Sequence, residues 1–139
     1  TLLSNLVSNA TKVLGKEWDI EILEMHHKHK IDAPSGTALM LGKSASDARN
    51  QVLSDVKAKS RDGIVGKRNS EEIGFAVLRG GDVVGEHSVL FCNEGERIEL
   101  VHKASNRSIF ASGALRAAYW AAKAKPGLYS LSDVLNLGG

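Results

Sequence analysis

Apolar side chains recur along the opening stretch at helical spacing. Leu2, Leu3, Leu6, Val7, Ala10, Val13 and Leu14 share one broad stripe, and Gly15 follows as a stop. The abrupt start suggests either an imposed boundary or a helix that continues from something upstream. The period then changes to two: Ile20 to Met25 predicts a strand whose pleat sends Ile20, Ile22 and Glu24 one way and Leu23 and Met25 the other. Strong helix formers after Pro34 predict a helix from about Gly36 to Val52, with Leu39, Leu41 and Ala45 inward and Ser35 or Asp32 as its cap. The polar, charged run from Ser54 to Ser70 predicts a loop. Alternation returns where Ile73, Phe75, Val77 and Arg79 interleave with Gly74, Ala76 and Leu78. Gly80-Gly81-Asp82 reads as a turn, Val83 or Gly85 to Asn93 as the next strand, Asn93-Glu94-Gly95-Glu96 as a hairpin turn and Arg97 to His102 as a further strand. A helix is predicted from Ser108, ended by Pro126-Gly127. Its apolar residues go nearly round the cylinder, which predicts a close helix contact. Ser130 to Leu137 predicts one short helical turn capped by Ser130 or Ser132.

These elements point to the α+β class, with a mixed sheet of about four strands and helices on one face. Too few helices are available to cover both faces, so the second face is expected to meet another copy of the sheet. The 139 residues suffice for one core without metal or disulfide. A net charge of +2, dispersed along the chain, gives no reason to expect a nucleic-acid partner. No apolar run approaches the roughly 20 residues that a spanning helix needs, and the first residues lack the pattern of a signal peptide. The single Cys92 has no internal disulfide partner and no basic or histidine neighbour in sequence. A buried small side chain in a reducing cytoplasm is the expectation.

Chemistry concentrates in Glu24 to Leu39, EMHHKHKIDAPSGTAL. His26 and His27 leave the strand end on opposite faces, with His29 and Lys30 just beyond. The first N–H groups of a helix lack internal partners and carry the positive end of its dipole. The backbone at Ser35-Gly36-Thr37 is therefore a natural seat for a carboxylate or phosphate, although such a sequence also serves plain capping. Imidazoles beside an ammonium and an anion seat are equipment for proton transfer onto an anionic substrate. Adjacent histidines diverge on a strand, so no metal site is expected. Gly42-Lys43-Ser44 imitates a phosphate-binding loop at the wrong spacing and inside a predicted helix. No GxGxxG follows a strand, so a dinucleotide site is expected outside this chain. His87 and His102 are expected to be structural. Arg107, near a helix start where a cation opposes the dipole, either faces an anion or acidic partner or lies in solvent.

The run His26-His27-Lys28-His29-Lys30-Ile31-Asp32-Ala33-Pro34-Ser35-Gly36-Thr37-Ala38 closely resembles the signature of the dihydrodipicolinate reductases, also called 4-hydroxy-tetrahydrodipicolinate reductases. Arg79 to His87, Gly95-Glu96-Arg97, His102 to Arg107 and Gly127-Leu128-Tyr129 look similar too, so the resemblance covers nearly the whole chain. It implies a cytoplasmic oxidoreductase of lysine and diaminopimelate biosynthesis that reduces a dihydropyridine-type dicarboxylate with NADH or NADPH. It also implies a division in which residues 1–107 bind substrate and form a homotetramer, while 108–139 return to an N-terminal nucleotide-binding domain. On matching positions His26 is implied as general acid/base, Lys30 as proton donor, and His27, Gly36 and Thr37 as holders of the substrate carboxylates. Without the nucleotide-binding half the chain is expected to bind no cofactor and to be inactive. The rival expectation is a domain for ligand binding or assembly without chemistry.

Overall fold

The computed structural model describes residues 1–58 and 60–137. Its elements are α1 (Leu2–Leu14), β1 (Asp19–His26), α2 (Gly36–Ala48), α3 (Leu53–Val56), β2 (Ile73–Arg79), β3 (Gly85–Asn93), β4 (Glu96–Ala104), α4 (Ser108–Ala121) and α5 (Leu131–Val134). The four strands form one sheet in the order β2-β1-β3-β4. β1 runs parallel to β2 and antiparallel to β3, and β3 pairs antiparallel with β4 through the expected hairpin. The sheet is therefore mixed and the class α+β.

β2 and β3 follow each other in sequence yet flank β1 on opposite sides. Their connection, Gly80 to Val84, must cross the end of β1, and it is bonded there. The Gly80 N–H donates to the His26 carbonyl (3.0 Å) and the Lys28 N–H to that of Gly81 (3.2 Å). Gly81 sits at φ 53°, which a residue without Cβ adopts freely. The crossing closes one side of the candidate site.

Register places Ile20, Ile22, Ile73, Val89 and Phe91 on one face, where they pack with Val7 of α1 and Ala38, Leu41 and Ala45 of α2. Leu39, expected inward, is only half-buried. α2 comes close to the sheet at Gly42, where a Cβ would stand 2.6 Å from the Phe75 ring. The helix stops at Ala48, short of the expected Val52. Asn50 takes φ 56°, and the Arg49 guanidinium turns back to donate to the carbonyls of Gly15 and Trp18.

The Ser54 to Ser70 run is more than a loop: it starts on the core side, where Val56 packs, and carries Arg61 and Arg68 to the opposite face of the sheet. It contains most of α3, and Lys57 makes an isolated parallel bridge to Ile73; position 59 lies outside the described residues. Arg61 grips both Glu21 carboxylate oxygens (2.8 Å each), and Arg68 reaches Glu21 (2.9 Å) and Asp19 (2.6 Å). Gly74 leaves room for this, since a Cβ there would overlap the Glu21 carboxylate. Burial works to raise the Glu21 pKa, but the two guanidiniums outweigh it and hold the carboxyl below its usual range. Cys92 falls on this outer face, partly exposed and not in the core, because alternation from Phe91 turns it outward.

Among the described residues the helix contact expected for the last long helix is made chiefly with the short α5, and it is not a close one. α4 buries none of its side chains, and Phe110, Leu115 and Tyr119 are exposed. It ends at Ala121, before the predicted Pro126, and the chain folds back so that Tyr129 packs edge-on against Trp120 at 4.9 Å. Ser130 is the N-cap of α5, with Asp133 accepting from its N–H (2.6 Å) and hydroxyl (2.7 Å). The last two residues of the 108–139 segment lie outside the described ones.

Candidate active site

Period two carries the inward face of β1 from Ile20 and Ile22 to Glu24 and then His26. The Glu24 side chain is 1% exposed, a position that a carboxylate occupies only when it is paired. Four donors meet it. Arg79, at the inward end of β2, gives a two-pronged contact to Oε2 (2.8 Å) and Oε1 (3.0 Å). The Ser35 N–H donates to Oε1 (2.9 Å), and His26 Nδ1 lies 2.6 Å from Oε2. Burial alone would raise the Glu24 pKa, but bonds from Arg79, His26 and Ser35 prevail and set it below the usual carboxylate range. The guanidinium pKa of Arg79 is raised in return, first of all by its hydrogen bonds to Glu24. Arg79 also donates to the Asp32 carbonyl (2.7 Å), tying the basic loop to the sheet.

His87 on β3 completes the cluster. It is 5% exposed, its ring stands edge-on to His26 at 5.1 Å, and its Nε2 is 3.0 Å from Ser35 Oγ. Burial, helped by the His26 imidazole, pushes its pKa down to about 4. It is the structural histidine that the strand pattern suggested. His102 is not, for it lies exposed on the edge strand β4.

The remaining expected residues line the loop between β1 and α2. Lys30 closes a turn with its N–H on the His27 carbonyl (3.1 Å), and its ammonium sits 2.7 Å from Asp32 Oδ1. That hydrogen bond is the main reason the Asp32 carboxyl lies below its ordinary pKa. Asp32 is thus the partner of Lys30, and the capping role falls to Ser35, whose Oγ accepts from the Ala38 N–H (3.2 Å). Gly36 and Thr37 form the exposed first turn of α2, and their N–H groups meet no protein acceptor among the described residues. His27 diverges from His26 as expected. It borders a cleft of about 690 Å³ with His29, Gly81, Asp82 and Arg107, its ring 6.3 Å from that of His29. Arg107 therefore faces the basic loop across that cleft.

The structure gathers His26 into a buried polar cluster and leaves His27, Lys30, Gly36 and Thr37 along its rim. No side-chain hydrogen bond joins these four residues to one another among the described residues. Such a rim offers cations and N–H donors to an anion, beside an imidazole able to exchange a proton. Among the described residues no glycine-rich turn leads from a parallel strand into a helix, which is where a dinucleotide fold holds its pyrophosphate. Glu24 and Arg79 were not among the expected site residues, and Ser35, expected as cap and part of the anion seat, gives its N–H to Glu24. The signal for Glu24 and Arg79 was a carboxylate and a guanidinium standing at inward positions of two strands.

The chain is similar to known proteins along nearly its whole length. The sequence model of the family described as "Dihydrodipicolinate reductase, C-terminus" matches residues 1–135. A 4-hydroxy-tetrahydrodipicolinate reductase of Parvibaculum lavamentivorans is 58% identical over 136 residues, covering 98% of this chain and 50% of that protein. The reductase of Allorhizobium ampelinum is 59% identical over 137 residues, with 98% and 51% covered. The chain thus spans about half the length of the curated relatives it matches. Among solved structures, "Dipicolinate bound Dihydrodipicolinate reductase from Paenisporosarcina sp. TG-14" aligns with a TM-score of 0.67 at 26% identity, covering 95% of this chain and 51% of that one.

Proposed function

Since this chain belongs to the family of dihydrodipicolinate reductase C-termini, we propose that it is the substrate-holding half of a 4-hydroxy-tetrahydrodipicolinate reductase. The whole enzyme reduces the cyclic dicarboxylate of lysine and diaminopimelate biosynthesis, in the cytoplasm, with NADH or NADPH. The hydride comes from a reduced nicotinamide held by the half outside this chain. Residues 1–107 bind substrate and assemble a homotetramer, and 108–139 pack on the nucleotide-binding half. The uncovered apolar surface of α4 and the exposed Leu78 and Val101 on the outer sheet face support that division.

The observation that carries the reading is the pair of unpartnered N–H groups at Gly36 and Thr37, on the same short run as His26, His27 and Lys30. One substrate carboxylate binds at this helix start, where N–H groups and dipole favour an anion, and His27 adds a donor from the cleft side. A pyridine dicarboxylate in the similar solved reductase supports a ligand of this shape. Lys30 exchanges Asp32 for the dianion and gives a proton from Nζ to the ring atom left electron-rich by reduction. His26 exchanges protons as general acid/base. In the full-length enzyme Lys30→Ala is expected to lower kcat by about 10²-fold or more, the scale of a lost general acid, with a much smaller change in KM. Steady-state kinetics on both parameters checks this, and an unchanged kcat rejects the donor role. The chain without its nucleotide-binding half is expected to turn over nothing when cofactor is added.

A further inference from the structure

His26 has two ring nitrogens, and the fold treats them differently. Nδ1 is 2.6 Å from Glu24 Oε2, and that carboxylate is itself fixed by Arg79 and by the Ser35 N–H. An ionised carboxylate accepts only, so this contact requires the hydrogen to be on Nδ1. Nε2 has no hydrogen-bond partner among the described residues. What lies beside it is Gly85, at the end of the connection that crosses β1, where a Cβ would come within 3.0 Å of Nε2. One nitrogen is thus locked by an ion pair, and the other is kept uncovered by the lack of a side chain.

We infer that Glu24 and Arg79 are positioning residues that hold His26 in the Nδ1–H tautomer, and that Gly85 keeps its Nε2 clear as the proton-exchanging atom. The inference rests on the reductase reading for the identity of the substrate but not for the state of the ring. In the working step Lys30 gives the one proton that reduction requires, the bare Nε2 takes a proton from solvent and passes it on to restore the Lys30 ammonium, and the hydrogen on Nδ1 stays on the ring, bonded to Glu24 Oε2, so the ring begins and ends neutral. Glu24 remains a carboxylate throughout, compensated by Arg79. His87 takes no part in the exchange, because its own Nε2 is engaged by Ser35 Oγ. A histidine oriented through one nitrogen by a fixed carboxylate is a general way to set the chemistry of the other.

The test uses the full-length enzyme with ¹⁵N-labelled histidine and two readouts, ring-nitrogen correlation spectra and steady-state kinetics. Wild type should show His26 with hydrogen on Nδ1 and a bare Nε2. Glu24→Gln should give a mixture of tautomers and lower kcat by about 10²-fold, with KM within about threefold. Gly85→Ala is the second variant, since it leaves the buried ion pair intact should Glu24→Gln fail to fold. It should lower kcat without altering the tautomer. A wild-type His26 carrying its hydrogen on Nε2 overturns the inference, as does a Gly85→Ala enzyme of undiminished kcat. Correct tautomers in a protein that reduces no dicarboxylate would instead sink the reductase reading alone.

Discussion

Burial and the neighbouring His26 imidazole drive the His87 pKa down to about 4, with His102 and Lys30 adding to the effect and Glu24 opposing it. An unfolded chain takes this proton near pH 6.5, whereas the folded one resists it until about pH 4. Between those values the unfolded state binds more protons, so stability falls as pH drops through that window, by at most about 3 kcal/mol, and this group adds no dependence above it. Urea unfolding of wild type and His87→Gln from pH 4 to 7 checks this. The variant should lose that part of the slope, and parallel profiles would place the acid sensitivity elsewhere. The neighbouring residues show why the cluster was only half legible. Glu24 and Arg79 both stand at inward positions by alternation alone, but their meeting requires β1 and β2 to run parallel in the observed register. No sequence period encodes that pairing.

Ser35 joins three elements at the start of α2. Its hydroxyl caps Ala38 and bonds His87 of β3, while its N–H bonds Glu24 of β1. Ser35→Ala removes a cap worth about 1 kcal/mol and leaves a buried imidazole nitrogen unpaired, at about 1–3 kcal/mol. A loss of about 2–4 kcal/mol is expected in urea unfolding, and a loss below about 1 kcal/mol would contradict the shared role. The same helix rests on the sheet at Gly42, so Gly42→Ala must displace the Phe75 ring; overpacking of this kind costs about 1–3 kcal/mol despite alanine's better helix propensity. Calorimetry reads the sign directly, and a raised melting temperature would refute the close contact. Strand positions and the start of this helix were readable because they rest on local alternation and capping chemistry. Its end was misjudged because Arg49 is drawn to carbonyls more than thirty residues earlier in the chain.

Across the whole molecule the outer sheet face is divided. Arg61 and Arg68 cover the Glu21 end, while Leu78 and Val101 stay about half exposed beside Leu23, Met25 and Leu90. If this remaining apolar strip is the assembly surface, the Leu78→Glu, Val101→Glu double variant should sediment as a monomer under conditions where wild type self-associates. Sedimentation velocity decides it, and an unchanged assembly would move the interface elsewhere. Local periodicity, capping residues and a dense basic motif already specified the strands, the helix start and the chemical character of this chain, because each depends on neighbours a few positions apart. Which strand lies beside which, the crossing of Gly80 to Val84 over His26 and the burial of Glu24 against Arg79 came from long-range packing. The physical reason is that a buried charge is tolerable only where partners from distant parts of the chain converge on it, and that convergence exists only once the sheet has closed around it.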